Sequence, residues 1–347
     1  MHKYSIAALV TPGAAAYSGT LGSEHQGGGG AVRRPPRLRA GMTLGIIAPS
    51  SPVLDSHDTA RGVAGLARLG FAVIFGEHAR DSRGYLAGRD DDRADDLLTM
   101  LERDDIDAII CVRGGYGAGR VLNALRAPAR LARLRALAGR PAKAVIGFSD
   151  ITMIHALLAR ELGWISFYGP VVTSFKEASD YTIAAFRRAL MGTEPFDILP
   201  APDDAYVATI TPGVAEAPLQ GGCLSLLTTL IGTPWEPDLR GAICFFEDVH
   251  EEPYMIDRQL THLLVAGKLQ GCAGLVIGEL ADCRPRSAIN TLGLGDIFDD
   301  LLRPLGIPIL YNLPIGHGKH LATLPLGVRA RLDASAGTLR ILEAGVS

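Results

Sequence analysis

Ser149 stands where an apolar, β-rich run stops and a helical pattern begins. Ala144-Val145-Ile146-Gly147-Phe148 leads through Ser149-Asp150 into Met153 to Leu162, whose apolar residues recur at helical spacing. A hydroxyl at that junction lies at the carboxyl end of a strand and the positive end of a helix, where backbone N–H groups can receive the oxyanion of an acyl-transfer intermediate. The second glycine of a G-x-S-x-G nucleophile elbow is missing, and capping of the helix by Ser149 or Asp150 is the competing reading. One strand earlier, Arg113-Gly114-Gly115-Tyr116-Gly117-Ala118-Gly119-Arg120 follows the apolar run Ala108 to Val112. Its glycines let backbone approach a ligand closely, and an amide of Gly114 or Gly115 is expected to face the Ser149 turn; a plain tight turn is the alternative. The spacing is not G-x-G-x-x-G and no G-K-[ST] follows, so no nucleotide cofactor is expected.

Two further residue types complete such chemistry. Ala242-Ile243-Cys244-Phe245-Phe246 runs into Glu247-Asp248-Val249-His250-Glu251-Glu252. A carboxylate at the end of a buried strand is costly unless paired, so one of the first acids should have an imidazole partner, while Glu251 and Glu252 read as a solvated loop. His317 lies between two glycines in Leu313-Pro314-Ile315-Gly316-His317-Gly318-Lys319-His320. Of nine histidines it has the setting best suited to proton transfer; His320, His250 and His155 are weaker candidates. No H-E-x-x-H or C-x-x-C pattern occurs, so no metal is expected.

The elements that must position these residues alternate. Apolar runs at Thr43 to Ala48, Ala72 to Phe75, Ala108 to Val112 and Ala144 to Phe148 read as buried strands; Asp58 to Leu69 and Asp91 to Leu101 between them read as helices. That order predicts right-handed βαβ units and a parallel sheet covered on both faces. A looser, proline-rich stretch follows a helix at Tyr181 to Leu190. Strands at Ala242 to Phe246 and Gly274 to Ile277 flank a helix at Met255 to Leu264, and Arg329 to Asp333 with Thr338 to Leu342 predicts an edge hairpin. The class is therefore α/β: an N-terminal parallel-sheet domain (35–172), a connection (173–216) and a second, smaller mixed-sheet domain (217–347), after a flexible extension (1–34).

With 347 residues, 48% hydrophobic, the chain can bury two cores. Its 34 Lys and Arg against 37 Asp and Glu give no footprint for nucleic acid or an anionic membrane, which leaves a small molecule as partner. No apolar run approaches the roughly 18 residues that span a bilayer. Five cysteines in apolar contexts read as free thiols of a reducing cytosol.

These segments together resemble the LD-carboxypeptidase family of serine peptidases, from Pro36 to the end. The matching stretches are Gly45 to Pro52, Arg113-Gly114-Gly115-Tyr116-Gly117, Gly147-Phe148-Ser149-Asp150-Ile151-Thr152, Tyr168-Gly169-Pro170, Phe246-Glu247-Asp248 and Gly316-His317-Gly318. The resemblance implies Ser149 as nucleophile, His317 as general base and Glu247 as the carboxylate that orients it. It places the amides of Asp150 and of a glycine of the Arg113 to Gly117 turn, taken as Gly115, in the oxyanion hole; Arg113, Gly114 and Tyr116 are expected at the substrate, with Arg113 and Lys319 the candidates for its carboxylate. It implies a cytoplasmic homodimer that removes terminal D-alanine from murein tetrapeptides without a cofactor. The alternatives are a microcin-immunity peptidase that cleaves aminoacyl-nucleotide analogues and a non-catalytic muropeptide-binding module. One departure is Cys223, where many members carry Asn.

Overall fold

The computed structural model describes residues 32–202, 206–287 and 290–347. Two sheets organise them. The first is built from β1 (Thr43–Ile47), β2 (Ala72–Phe75), β3 (Ala108–Cys111), β4 (Ala144–Gly147), β5 (Phe167–Tyr168) and, far along the chain, β12 (Leu324–Pro325). Its order is β12-β5-β4-β3-β1-β2, parallel except for β12, which pairs antiparallel with β5. The second sheet holds β6 (Phe196–Ile198), β7 (Ala208–Thr211), β8 (Val214–Cys223), β9 (Ile243–Val249), β10 (Gly274–Ala281), β11 (Ile309–Tyr311), β13 (Arg329–Asp333) and β14 (Thr338–Ile341). Its order is β6-β14-β13-β8-β9-β10-β11-β7; β8 to β11 run parallel and the flanking pairs antiparallel. The α/β class with one mostly parallel and one mixed sheet is as the strand and helix patterns predict, with eight strands in the second sheet against six in the first.

Strand alternation divides the interior. Ile46, Ile110, Ile146 and Phe167 from the first sheet share a core with Leu219, Phe245, Val276 and Leu310 from the second. The opposite face of the first sheet, through Ile47, Ile109, Cys111 and Val145, packs on the helices Asp90–Glu102, Ala118–Leu125, Pro128–Ala136 and Thr152–Leu162. The outer face of the second, through Cys244, Phe246, Leu275 and Ile277, packs on Leu224–Leu230, Pro253–Val265 and Leu294–Leu301. Both faces of the central strands are thus apolar, which explains their unbroken hydrophobic runs. Among the described residues no helix is long and apolar enough to cross a membrane.

Three expectations change. The hairpin β13–β14 is not at an edge: β6 pairs outside β14. The segment 173–216 does more than connect, since β6 and β7 close the two ends of the second sheet. Both strands are only three or four residues long and stand among prolines, too short to show a period. Finally, the extension ends earlier than Arg34: Arg33 N–H donates to Gly163 O at 2.8 Å and Arg34 pairs with Glu343 at 2.6 Å. Residues 1–31, the rest of that extension, lie outside the described residues.

Candidate active site

Ser149 stands one residue beyond β4, after Phe148, and takes φ 63°, a left-handed conformation that costs a residue with a β-carbon about 1–3 kcal/mol. The turn is held by Asp150 below it: the buried carboxylate accepts from Ser50 Oγ at 2.6 Å and from the Ala118 amide, at the start of helix Ala118–Leu125, at 2.7 Å. Burial raises the pKa of Asp150 despite those donors. Asp150 thereby ties the Ser149 turn to the loop after β1 and to the glycine turn after β3. At Gly114 a β-carbon would stand 3.1 Å from Ser149 Cβ and 3.3 Å from its Oγ, a tight approach that a glycine makes without displacing its neighbour.

The acid and the imidazole come from the second sheet. β9 persists through Glu247 and Asp248 to Val249, so alternation sends the two acids to opposite faces. Glu247, with no solvent exposure, points inward and its Oε2 stands 2.7 Å from His317 Nδ1. Asp248 turns away and accepts the Ser225 amide at 2.8 Å, in the first turn of helix Leu224–Leu230. His317 lies on the loop that leaves the second sheet at β11 and enters the first at β12, so the chain itself carries the imidazole across to the Ser149 turn. Gly316, with φ 115°, is needed there: a β-carbon would lie 2.2 Å from Glu247 Oε2. The His317 ring packs edge-on against Phe148, centroids 4.9 Å apart. Burial works against protonation of His317, but the hydrogen bond and charge of Glu247 outweigh it and raise the pKa above 6.5. Burial likewise raises the pKa of Glu247, against the pull of His317.

Ser149 and His317 line one cavity of about 400 Å³, together with Arg113, Gly114, Gly115, Asp55, Asp58, Thr173, Ser174 and Lys176. With Nδ1 on the carboxylate, the ring nitrogen left for chemistry is Nε2, and a hydroxyl sharing a cavity with an imidazole held by a buried acid is an arrangement that can carry out acyl transfer. Tyr116 departs from the expected placement: it is exposed, packs on Tyr85, and lines a second cavity with Met153, Leu226 and Trp235. Gly115 borders both cavities. Lys319 does not line the first. The weaker histidines are placed elsewhere: His155 is buried with both ring nitrogens bonded, to Ser166 and to Gly147 O, and burial lowers its pKa to about 4. His320 bonds Ser179, and His250 is exposed.

Three contributors escape the sequence reading. Tyr168, fully buried on β5, accepts the Ser149 amide at 3.0 Å and donates to Glu247 Oε1. Lys176 and Asp58 form an ion pair of 2.6 Å at the cavity wall. The Y-G-P match was the available signal for Tyr168, whereas nothing in the spacing of Asp58 and Lys176, 118 residues apart, marks them as partners. Cys223 is opposite Glu247 in the β8–β9 register; its thiol contacts Ser225 Oγ at 3.3 Å, and burial raises its pKa well above the usual value. A cluster of metal-ligand geometry among the described residues, His78, Asp81 and Asp92, does not border the cavity.

An α/β scaffold with a serine on a strained turn beside a carboxylate-held imidazole defines a serine hydrolase. The chain belongs to the LD-carboxypeptidase family, whose N-terminal domain matches residues 44–169 and whose C-terminal domain matches residues 216–332, and it is a serine carboxypeptidase by that membership. A probable murein peptide carboxypeptidase of Bacillus subtilis is 34% identical over 90% of this chain and 95% of its own. Among solved structures, a muramoyltetrapeptide carboxypeptidase from Oxalobacter formigenes superposes with TM-score 0.74 at 30% identity, over 87% of this chain and 99% of that one. An MccF-like protein from Bacillus anthracis superposes with TM-score 0.79 at 25% identity, over 89% and 99%.

Proposed function

We propose that the protein is a cytoplasmic LD-carboxypeptidase that releases terminal D-alanine from murein tetrapeptides, cleaving the bond that follows the L-centre of the diamino acid. In this reading His317 Nε2 takes the Ser149 proton as Oγ attacks the scissile carbonyl, and Glu247 stabilises the imidazolium that forms. The amides of Asp150 and Gly115 receive the oxyanion, the Ser149 amide being engaged by Tyr168. Collapse expels D-alanine, protonated by His317, and water then hydrolyses the acyl-Ser149 ester by the same base.

The observation that carries the proposal is the cavity that Ser149 and His317 share. It is lined by two cations, Arg113 and Lys176, and two acids, Asp55 and Asp58. A peptide ending in a free carboxylate and carrying a charged diamino side chain finds a partner for each sign there. We assign Arg113 to the terminal carboxylate. Two copies per particle are proposed on family resemblance.

A second reading, cleavage of an aminoacyl-nucleotide analogue, is favoured by the likeness to the MccF-like fold and by the solved complex of MccF with aspartyl sulfamoyl adenosine. The deciding experiment is mass spectrometry of the protein incubated with a D-alanine-terminated muropeptide and, separately, with aspartyl sulfamoyl adenosine. Loss of alanine from the first with the second intact is the expected outcome. Cleavage of the second alone reverses the assignment, and cleavage of neither leaves a binding module.

A further inference from the structure

We infer that Tyr168 is a positioning residue that links the nucleophile's backbone to its base through a hydrogen-bonded chain, and that its phenol proton tunes how much of the Glu247 charge reaches His317. The inference concerns the acid–base relay and rests on the proposed role of Ser149, Glu247 and His317. The direction of each bond follows from chemistry. An ionised carboxylate only accepts, so the single phenol proton goes to Glu247 Oε1, and the phenol oxygen is left to accept the Ser149 N–H. Glu247 Oε2 then takes His317 Nδ1. Each oxygen of a carboxylate with no solvent exposure thus has one donor, which is what allows it to stay charged there.

The ring of Tyr168 has no freedom to leave this position. Register with β4 sets it opposite Gly147, and Phe245, His155 and Phe148 surround it with centroids at 5.1, 6.0 and 6.3 Å. Two consequences follow. The phenol ties down the amide of the left-handed Ser149 and withholds that amide from the oxyanion. It also competes with His317 for the Glu247 charge: a weaker donor at 168 returns charge to the imidazole side and favours imidazolium, and a stronger donor does the reverse. Besides Tyr168, the titratable and charged groups set around this pair are Asp248 on β9, Cys223 on β8, Cys283, Glu279 of β10 beside Gly318, His155 against the Tyr168 ring, and Arg113, Lys176, Asp55 and Asp58 along the cavity that His317 lines. Lys319 follows His317 by two residues. Neither substitution below changes the identity of any of them.

The test compares Tyr168→Phe with replacement of Tyr168 by 3-fluorotyrosine, a more acidic phenol of nearly the same shape. For Tyr168→Phe, kcat should fall about 10- to 100-fold with KM within about twofold, and the acidic limb of kcat/KM should move up by about half a unit. In the fluorotyrosine protein the limb should move down. The same shifts should appear in the His317 imidazole titration by NMR, which needs no substrate and therefore separates failure of this inference from failure of the proposed reaction. Unmoved limbs and an unmoved titration in both proteins would reduce Tyr168 to packing and overturn the inference. Should the Phe variant not fold, the fluorotyrosine protein decides alone, since a titration that stays put or moves up there overturns it equally.

Discussion

The two halves of the site are assembled by different means. Ser149 and its turn come from one strand–turn–helix unit, and the glycine turn that faces it comes from the neighbouring parallel strand in the same sheet. Glu247 and His317 are 70 residues apart, on a central strand and on a loop that crosses between sheets, held at one end by the Glu279 N–H to Ile315 O bond of 3.0 Å and at the other by the pairing of β12 with β5. A local unit keeps its shape when one side chain changes; a long-range one depends on every contact that sets the crossing. Substitutions in the first half should therefore remove chemistry and spare the fold, and those in the second should disturb both.

The largest effect tests the first half. Ser149→Ala should lower kcat by about 10⁵-fold or more while the unfolding midpoint stays put or rises slightly, because the hydroxyl makes little packing contact. Retention of more than a small fraction of kcat would reduce Ser149 to a helix cap.

The next contrasts adjacent acids of β9. Glu247→Gln keeps the shape but loses the charge that stabilises imidazolium, and should lower kcat by about 10⁴-fold. Asp248→Asn should cost about 10-fold or less, since Asp248 holds the Ser225 amide and not His317. A larger loss from Asp248→Asn would show that β9 is shifted by one residue. The pH dependence follows with its sign: Glu247 raises the His317 pKa, and the base must be neutral, so activity should rise through an apparent pKa above 6.5 and be lost below it. Whatever activity Glu247→Gln retains should show that limb at lower pH.

A smaller effect probes the crossing loop. Gly316→Ala must hold φ 115° and push Glu247, so it should lower the unfolding midpoint by several degrees and kcat by about 10-fold. An unchanged midpoint would show that the loop has slack. The smallest is expected at the amino end. A chain beginning at Val32 should match the full chain in kcat, whereas one beginning at Pro35 also loses the Arg33–Gly163 and Arg34–Glu343 contacts and should be slightly less stable. Loss of activity on removing residues 1–31 alone would assign that segment a role in the site.

The sequence by itself determined the four strands β1 to β4 of the first sheet, the serine that follows β4 and the glycine turn beside it, because periodicity, apolar runs and turn chemistry are local properties; β5 and β12, two residues each, were not legible. Through the family's motifs it also named Glu247 and His317. Tertiary structure alone decided the rest. It decided that β9 runs on past Phe246, the register that puts Glu247 against the imidazole and turns Asp248 to the Ser225 amide. It decided that Tyr116 leaves the cavity for its neighbour, that Asp58 and Lys176 meet at its wall, and that β6 covers the hairpin edge. It also inserted Tyr168 between serine and acid. The reason is common to all of these: a hydrogen bond or ion pair between residues far apart in the chain leaves no periodic trace in either segment, and exists only once the two sheets have packed on their shared core.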